Sequence, residues 1–289
     1  MEHPADLDPR RCACLGFYEE MGLPKKTVDL VPTNITYDID LVDGLANVNI
    51  CQTFTNRTDK FLELQYTFSI SPNACLHKFA AVFAKKRMDG AVKEKEEARK
   101  EFKEAVQQGK QAALGEVEAE SKDIFRLQIG NIDPGESVTI ELSYSEELTL
   151  TMNTFYQFTL PTKLNPRFFS TMPLPNYLNA FRARNKQVKA DFSWDFKLKL
   201  TTSRKVTAYQ TTSQTLAVEG KNDAATEHCF TLAPGQTLTR DFVFMYTTEY
   251  FEQPSYSLGR TDAGTSVMVS FIPKFCQLNL DDAKRAALK

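Results

Sequence analysis

From about residue 35 to residue 271 the chain alternates apolar and polar residues in segment after segment. A period of two puts successive side chains on opposite faces of an extended backbone, so each segment has one face to bury and one to wet. Such a chain has to fold by packing sheets. Ile35, Tyr37, Ile39 and Leu41 set the pattern, Asp43-Gly44 offers a turn, and Val48, Ile50 and Phe54 return, which predicts a β-hairpin. Leu62, Leu64, Tyr66 and Phe68 continue until Ser71-Pro72-Asn73 breaks the run. Phe125, Leu127 and Ile129 resume it. Asp133-Pro134-Gly135-Glu136 then makes a turn, proline presetting φ at the second position and glycine accepting positive φ at the third, and Val138, Ile140, Leu142 and Tyr144 run back. Phe192 to Leu200, Phe242 to Tyr246 and Val267 to Phe271 repeat the theme, with Ala233-Pro234-Gly235-Gln236 as a second proline-glycine turn.

One stretch has another period. Over residues 92–108, rich in Lys, Glu, Arg and Ala, the apolar residues Ala98, Phe102, Ala105 and Val106 fall on one helical face, with Glu96 and Lys100 spaced as an ion pair and Gly109 as a stop. The spacing predicts an amphipathic helix that buries Phe102 and Val106 against a sheet, its charged side a solvated face. Prolines 161, 166, 173 and 175 punctuate a stretch unsuited to regular structure. At roughly 150 residues per domain, 289 residues hold about two units. The expected fold is mainly β: two β-sandwich units with one amphipathic helix inserted in the first. The divisions are an N-terminal tail (1–26), a first β unit (27–165), a linker (166–188), a second β-sandwich segment (189–276) and a C-terminal tail (277–289).

Charge narrows the partners. With 35 Lys and Arg against 37 Asp and Glu, the basic excess that neutralises phosphate backbones is missing, so nucleic acid is not an expected partner. The 21 phenylalanines sit at strand period without interleaved basic residues, which favours sandwich core over base-stacking platforms. The apolar run from Phe79 to Ala84 is far short of the ~20 residues of a membrane helix. No apolar core follows Met1-Glu2-His3-Pro4, so a secretory leader is not expected, and membrane insertion is not either. Cys12, Cys14, Cys51, Cys75, Cys229 and Cys276 are then expected as reduced thiols in the cytoplasm, and the sequons at Asn34 and Asn56 as chance.

Chemistry finds little to work with. His3, His77 and His228 are the only histidines; His77 next but one to Cys75, and His228 beside Cys229, invite a Cys/His hydrolase, but no nucleophile signature surrounds either pair. Cys12 and Cys14 with Cys75 and His77 would make four zinc ligands, yet one-residue spacing strains chelation. No glycine-rich phosphate loop occurs, and Glu116, Glu118 and Glu120 alternate like an outer strand face. The expectation is no enzyme, no catalytic residue, no metal and no cofactor, and no partner-binding residue can be named.

Four motifs in order carry a resemblance: Tyr66-Thr67-Phe68 leading to Pro72-Asn73-Ala74, Gly90 to Ala98, Gly109-Lys110-Gln111-Ala112-Ala113-Leu114, and Phe125 through Gly130-Asn131-Ile132-Asp133-Pro134-Gly135-Glu136. Together they resemble the vault protein inter-alpha-trypsin (VIT) domain, placed at 27–165. Arg240-Asp241-Phe242-Val243-Phe244 and Val267 to Phe275 are similar to the β segment that joins this domain to a von Willebrand factor A domain in intracellular members. The resemblance implies a non-enzymatic scaffold that binds protein partners, or a structural subunit of a large assembly. It leaves 277–289 as either a C-terminal tail or the start of a truncated A domain, an N-terminal fragment being favoured over a protein that keeps only the VIT half. The A domain's Asp-x-Ser-x-Ser metal motif is absent, so metal-dependent binding does not carry over.

Overall fold

The computed structural model describes residues 13–18, 26–71, 73–84, 86–90, 95–117, 124–152, 154–161, 193–212, 214–234, 241–262 and 264–271. In chain order the first strands are β1 (Ala13–Tyr18), β2 (Lys26–Leu30), β3 (Pro32–Val42), β4 (Leu45–Thr55), β5 (Leu62–Ser69), β6 (Cys75–Phe83) and β7 (Arg87–Asp89). Helix α1 (Lys95–Gln107) follows, then β8 (Ala112–Val117), β9 (Ile124–Ile132), β10 (Ser137–Glu147), β11 (Thr149–Thr151) and β12 (Phe155–Leu160). The remaining strands are β13 (Ser193–Thr201), β14 (Val206–Thr211), β15 (Leu216–Lys221), β16 (Glu227–Leu232), β17 (Phe242–Thr248), β18 (Ser255–Thr261) and β19 (Gly264–Ser270). The protein is mainly β with one helix among the described residues, as the alternation predicts. Ala13–Tyr18, inside the expected N-terminal tail, is a strand, too short a stretch for its period to stand out. The expected linker lies outside the described residues.

An eight-stranded sheet, β15-β16-β13-β3-β4-β10-β6-β7, forms one layer. Its register sets Ile35, Tyr37, Ile39 and Leu41 beside Gln52, Ile50, Val48 and Ala46, and Phe196, Leu198 and Leu200 beside Tyr37, Ile39 and Leu41, so all face one way. Two smaller sheets lie side by side on that face. The first, β2-β1-β5-β9-β8, meets it through Phe54 against Tyr66 (ring centroids 5.8 Å apart) and Phe79 against Phe125 (5.9 Å). The second, β11-β12-β17-β14, meets it through Phe196 against Phe242 (4.9 Å) and Phe230 against Phe244 (5.3 Å). Edge-on and tilted rings at these spacings add to the area they bury.

The parallel pairing of β13 with β3 was not expected: it places a strand of the second segment in the same sheet as the first, so the two segments share one layer. The outer face of that layer is polar, with Thr53 and Thr139 hydroxyls 2.8 Å apart and Ser143 and Ser145 donating to Asn49 and Asn47 at 2.7 Å. Antiparallel sheets commonly keep one such face in water.

Candidate functional site

The motifs that distinguish this sequence converge on one junction, between the end of α1, the bulged end of β9 and the loop after β4. Helix α1 ends in two crossed hydrogen bonds, Gly109 N to Val106 O at 3.0 Å and Lys110 N to Ala105 O at 2.9 Å, with Gly109 at φ 72°. This closure needs a left-handed residue, hence glycine. In β9 the register shifts against Leu62 and Leu64, an extra residue bulging out at Gly130-Asn131, with Asn131 at φ 59°. Its amide donates to the carbonyls of Val106 (3.1 Å) and Lys110 (2.8 Å), tying the helix end to the sheet. Gly130 makes the approach possible: a Cβ there would stand 2.4 Å from Val106 Cγ2. Farther along, Arg99 donates from Nε to Glu116 at 2.8 Å. The helix is shorter than the 92–108 expected, 92–94 lying outside the described residues, and Phe102 and Val106 are half-buried because the helix rides on the outer face of its sheet.

The turn that follows completes the junction. Gly135, at φ 78°, donates its N–H to Asn56 O at 2.8 Å, and Asn56 N donates to Glu136 O at 2.9 Å. The Glu136 carboxylate accepts from Asp133 N at 3.1 Å and from Gln111 Nε2 at 2.9 Å. Asn56 is 2% exposed. Its Nδ2 donates to the carbonyls of Lys60 (2.8 Å), Ile132 (3.1 Å) and Asp133 (3.1 Å), while its Oδ1 accepts from Thr58 N and Oγ1. The sequence marks Asn56 only as a sequon; its reach to the Asp133–Glu136 turn crosses a gap that no local pattern encodes. Both amide hydrogens are spent on carbonyls, so glycan attachment is incompatible with this fold.

The residues singled out for catalysis are not brought together. Cys75 and His77 lie on β6 and His228 and Cys229 on β16, with four strands between, roughly 24 Å at ~4.8 Å per step. The exposed His77 ring sits 3.4 Å from the Cys75 carbonyl and 3.5 Å from Ser145 Oγ, whose proton is directed at Asn47. His228 points into the core, 2% exposed, stacked on Phe230 and edge-on to Tyr209. Burial lowers its pKa, with Lys221 adding to the effect. Of the cysteines weighed and set aside as zinc ligands, Cys14 is buried on β1 and Cys75 exposed on β6, and Cys12 lies outside the described residues. Cys14, Cys51, Cys75 and Cys229 are free thiols. Burial, then the Glu141 carboxylate, pushes the Cys51 thiol up, away from the thiolate that nucleophilic or ligand chemistry requires. Arg87 grips Glu141 with two bonds of 3.0 and 2.8 Å and holds its carboxyl below the usual carboxylate range. No group of three His, Cys, Asp or Glu among the described residues is placed to hold a metal ion.

A notch between the Asp43-Gly44 turn and the loop before β18 has room for about one water molecule. Asp43 Oδ1 accepts from Ser203 N at 2.8 Å, Tyr246 OH accepts from Gly44 N at 3.1 Å, and Arg204 donates to the carbonyls of Tyr250, Gln253 and Pro254. These bonds satisfy loop carbonyls and hold the turn against the loop. No helix among the described residues is long and apolar enough to cross a membrane.

Comparison with known proteins agrees with the junction. Residues 32–144, from the start of β3 into β10, match the family model of the vault protein inter-alpha-trypsin domain. The chain is similar to von Willebrand factor A domain-containing protein 5A of Mus musculus, 25% identical over 273 residues, 91% of this chain and 34% of that protein. It is similar to protein mono-ADP-ribosyltransferase PARP4 of Homo sapiens, 33% identical over 146 residues, 50% of this chain and 8% of that protein. A von Willebrand factor A domain-containing protein of Dictyostelium discoideum is 22% identical over 233 residues, 80% of this chain and 22% of its own length. The chain thus spans about a third or less of these relatives. The helix cap, the bulge and the proline-glycine turn all fall inside the matched segment, so residues 32–144 are similar to the vault protein inter-alpha-trypsin domain in the elements that build the junction.

Proposed function

We propose that this chain is a non-enzymatic protein–protein interaction module of the VIT type, a scaffold element working in the cytoplasm. One observation carries the reading: the similarity extends to relatives whose names describe different proteins, and covers only 34% of one and 8% of another. A segment reused in such different settings behaves as a portable module, and its motifs here build a structural junction instead of a reaction centre. The distance between the Cys/His pairs supports the absence of turnover, and the buried Asn56 amide supports a compartment without glycosylation. Sheet edges and exposed faces are the surfaces through which such a module binds.

Affinity capture with the 289-residue chain from its native cell, with and without EDTA, tests the proposal. Recovery of the same protein partner in both conditions is expected. Loss of capture in EDTA, or substrate turnover that falls in a His77→Ala/His228→Ala variant, overturns it.

A further inference from the structure

Hairpin β18–β19 stands apart from the sandwich, its strands paired with each other and with no other described strand. Arg204 fixes its base by holding the carbonyls of the loop that leads into it. The register sets Tyr256 opposite Val269 and Leu258 opposite Val267; with Phe271 two residues beyond Val269, five large apolar side chains share one face. All five are exposed, from 54% for Leu258 to 69% for Tyr256. The opposite face carries Gly259, Ser266 and Met268. A two-stranded hairpin is marginal in water unless such a face is packed. At ~100 Å² per side chain the patch approaches 500 Å², near the upper end of what monomers leave open.

The face is graded along its length. Phe271 and Tyr256 lie at the base, Val269, Leu258 and Val267 in the middle, and the exposed Arg260, opposite Thr265, toward the tip. We propose that the occupant is the same face of a second copy of this chain, packed head to tail about a two-fold axis. That rotation sets aliphatic middle on aliphatic middle and lays each Arg260 guanidinium over Tyr256 and Phe271 of the other copy, a cation over aromatic faces. Packing the hairpins tip to tip would set Arg260 against Arg260. Sheets pack face to face at ~10 Å with their strands nearly aligned, and closed two-fold pairs are the commonest assemblies. The two patches together bury roughly 1,000 Å², the lower bound of a specific interface, so the pair is weak and concentration-dependent.

The proposal rests on the reading of the chain as an interaction module, and the two fail separately. Sedimentation equilibrium of the 289-residue chain should show a monomer–dimer equilibrium with a Kd of order 10 µM. The Leu258→Asp/Val267→Asp variant should remain monomeric at ~100 µM, and Arg260→Glu should weaken the dimer about tenfold, with Arg260→Lys nearer the parent. Unchanged circular dichroism and thermal midpoint certify that the variants keep the sandwich. A parent that stays monomeric at ~100 µM overturns the proposal and assigns the face to a different protein or another segment of a longer chain. A dimer that survives the double substitution, or is indifferent to Arg260→Glu, overturns it as well. A monomer that still captures a native partner defeats this inference alone and leaves the module reading standing.

Discussion

Asn56 holds the junction with more hydrogen bonds than any neighbour, and three of them end on carbonyls, that of Lys60 in its own loop and those of Ile132 and Asp133 across the fold. Replacing it by alanine takes a donor from each of these carbonyls, of which Lys60 O keeps Thr58 Oγ1, and each lost buried bond costs about 1 kcal/mol or more. We expect Asn56→Ala to lower stability by about 3 kcal/mol, read from the urea midpoint at constant m-value. Asn56→Asp should fare no better, since a carboxylate would face carbonyls. His228 supplies a pH dependence. Its pKa in the fold lies below the ordinary value near 6.5, so the folded state prefers the neutral ring. Above that value both states are neutral and nothing is lost. As pH falls through 6.5 toward the folded pKa, the unfolded state takes up the proton first and stability declines. The thermal midpoint should drop as the pH falls below about 6.5 in the parent. In His228→Gln that part of the slope should vanish. Neither role was legible in the sequence, where Asn56 is a sequon and His228 one of three histidines, because both depend on what lies across the fold.

At the scale of the element, the helix is legible and its berth is not. The 3.6-residue spacing of Ala98, Phe102, Ala105 and Val106 identifies α1 to within a few residues, and Gly109 marks its end. Nothing in a strand glycine announces that a valine will rest on it. Gly130→Ala should therefore destabilise by about 1–3 kcal/mol, the range for an overpacked contact. Val106→Ala should recover much of that loss in the Gly130→Ala background, a coupling that a double-mutant cycle measures. For Phe102→Ala, half-burial reduces the expected cost to about 1–2 kcal/mol, below the 3–5 of a fully buried ring. Two of the expected turns were legible, Asp43-Gly44 and Pro134-Gly135, with Gly44 and Gly135 taking the positive φ that glycine allows, while Gly235 of the second proline-glycine turn lies outside the described residues.

For the whole molecule, the alternation foretells strands, their facing sides and a sandwich, yet leaves open which strand lies beside which. Phe196, Leu198 and Leu200 would suit any sheet with a free edge; that they lie parallel to β3 is a matter of long-range fit. Because β13 and β3 share a layer, the chain should unfold in one transition, with far-ultraviolet dichroism and tyrosine fluorescence superimposing in urea. A chain ended at residue 161 should lose that transition or aggregate, since the β3 edge, with Ile35 and Ile39 at 0% exposure, would lose its neighbour. The same pairing governs the order of events during synthesis. β3 and β4 leave the ribosome early, but the strand that covers the β3 edge is not made until Ser193–Thr201 emerge, a delay of roughly ten to thirty seconds at ~5–20 residues per second. Through that interval the nascent chain carries a long, sticky, half-finished sheet, which makes it a natural client for chaperones that shield open strands until translation delivers the missing one.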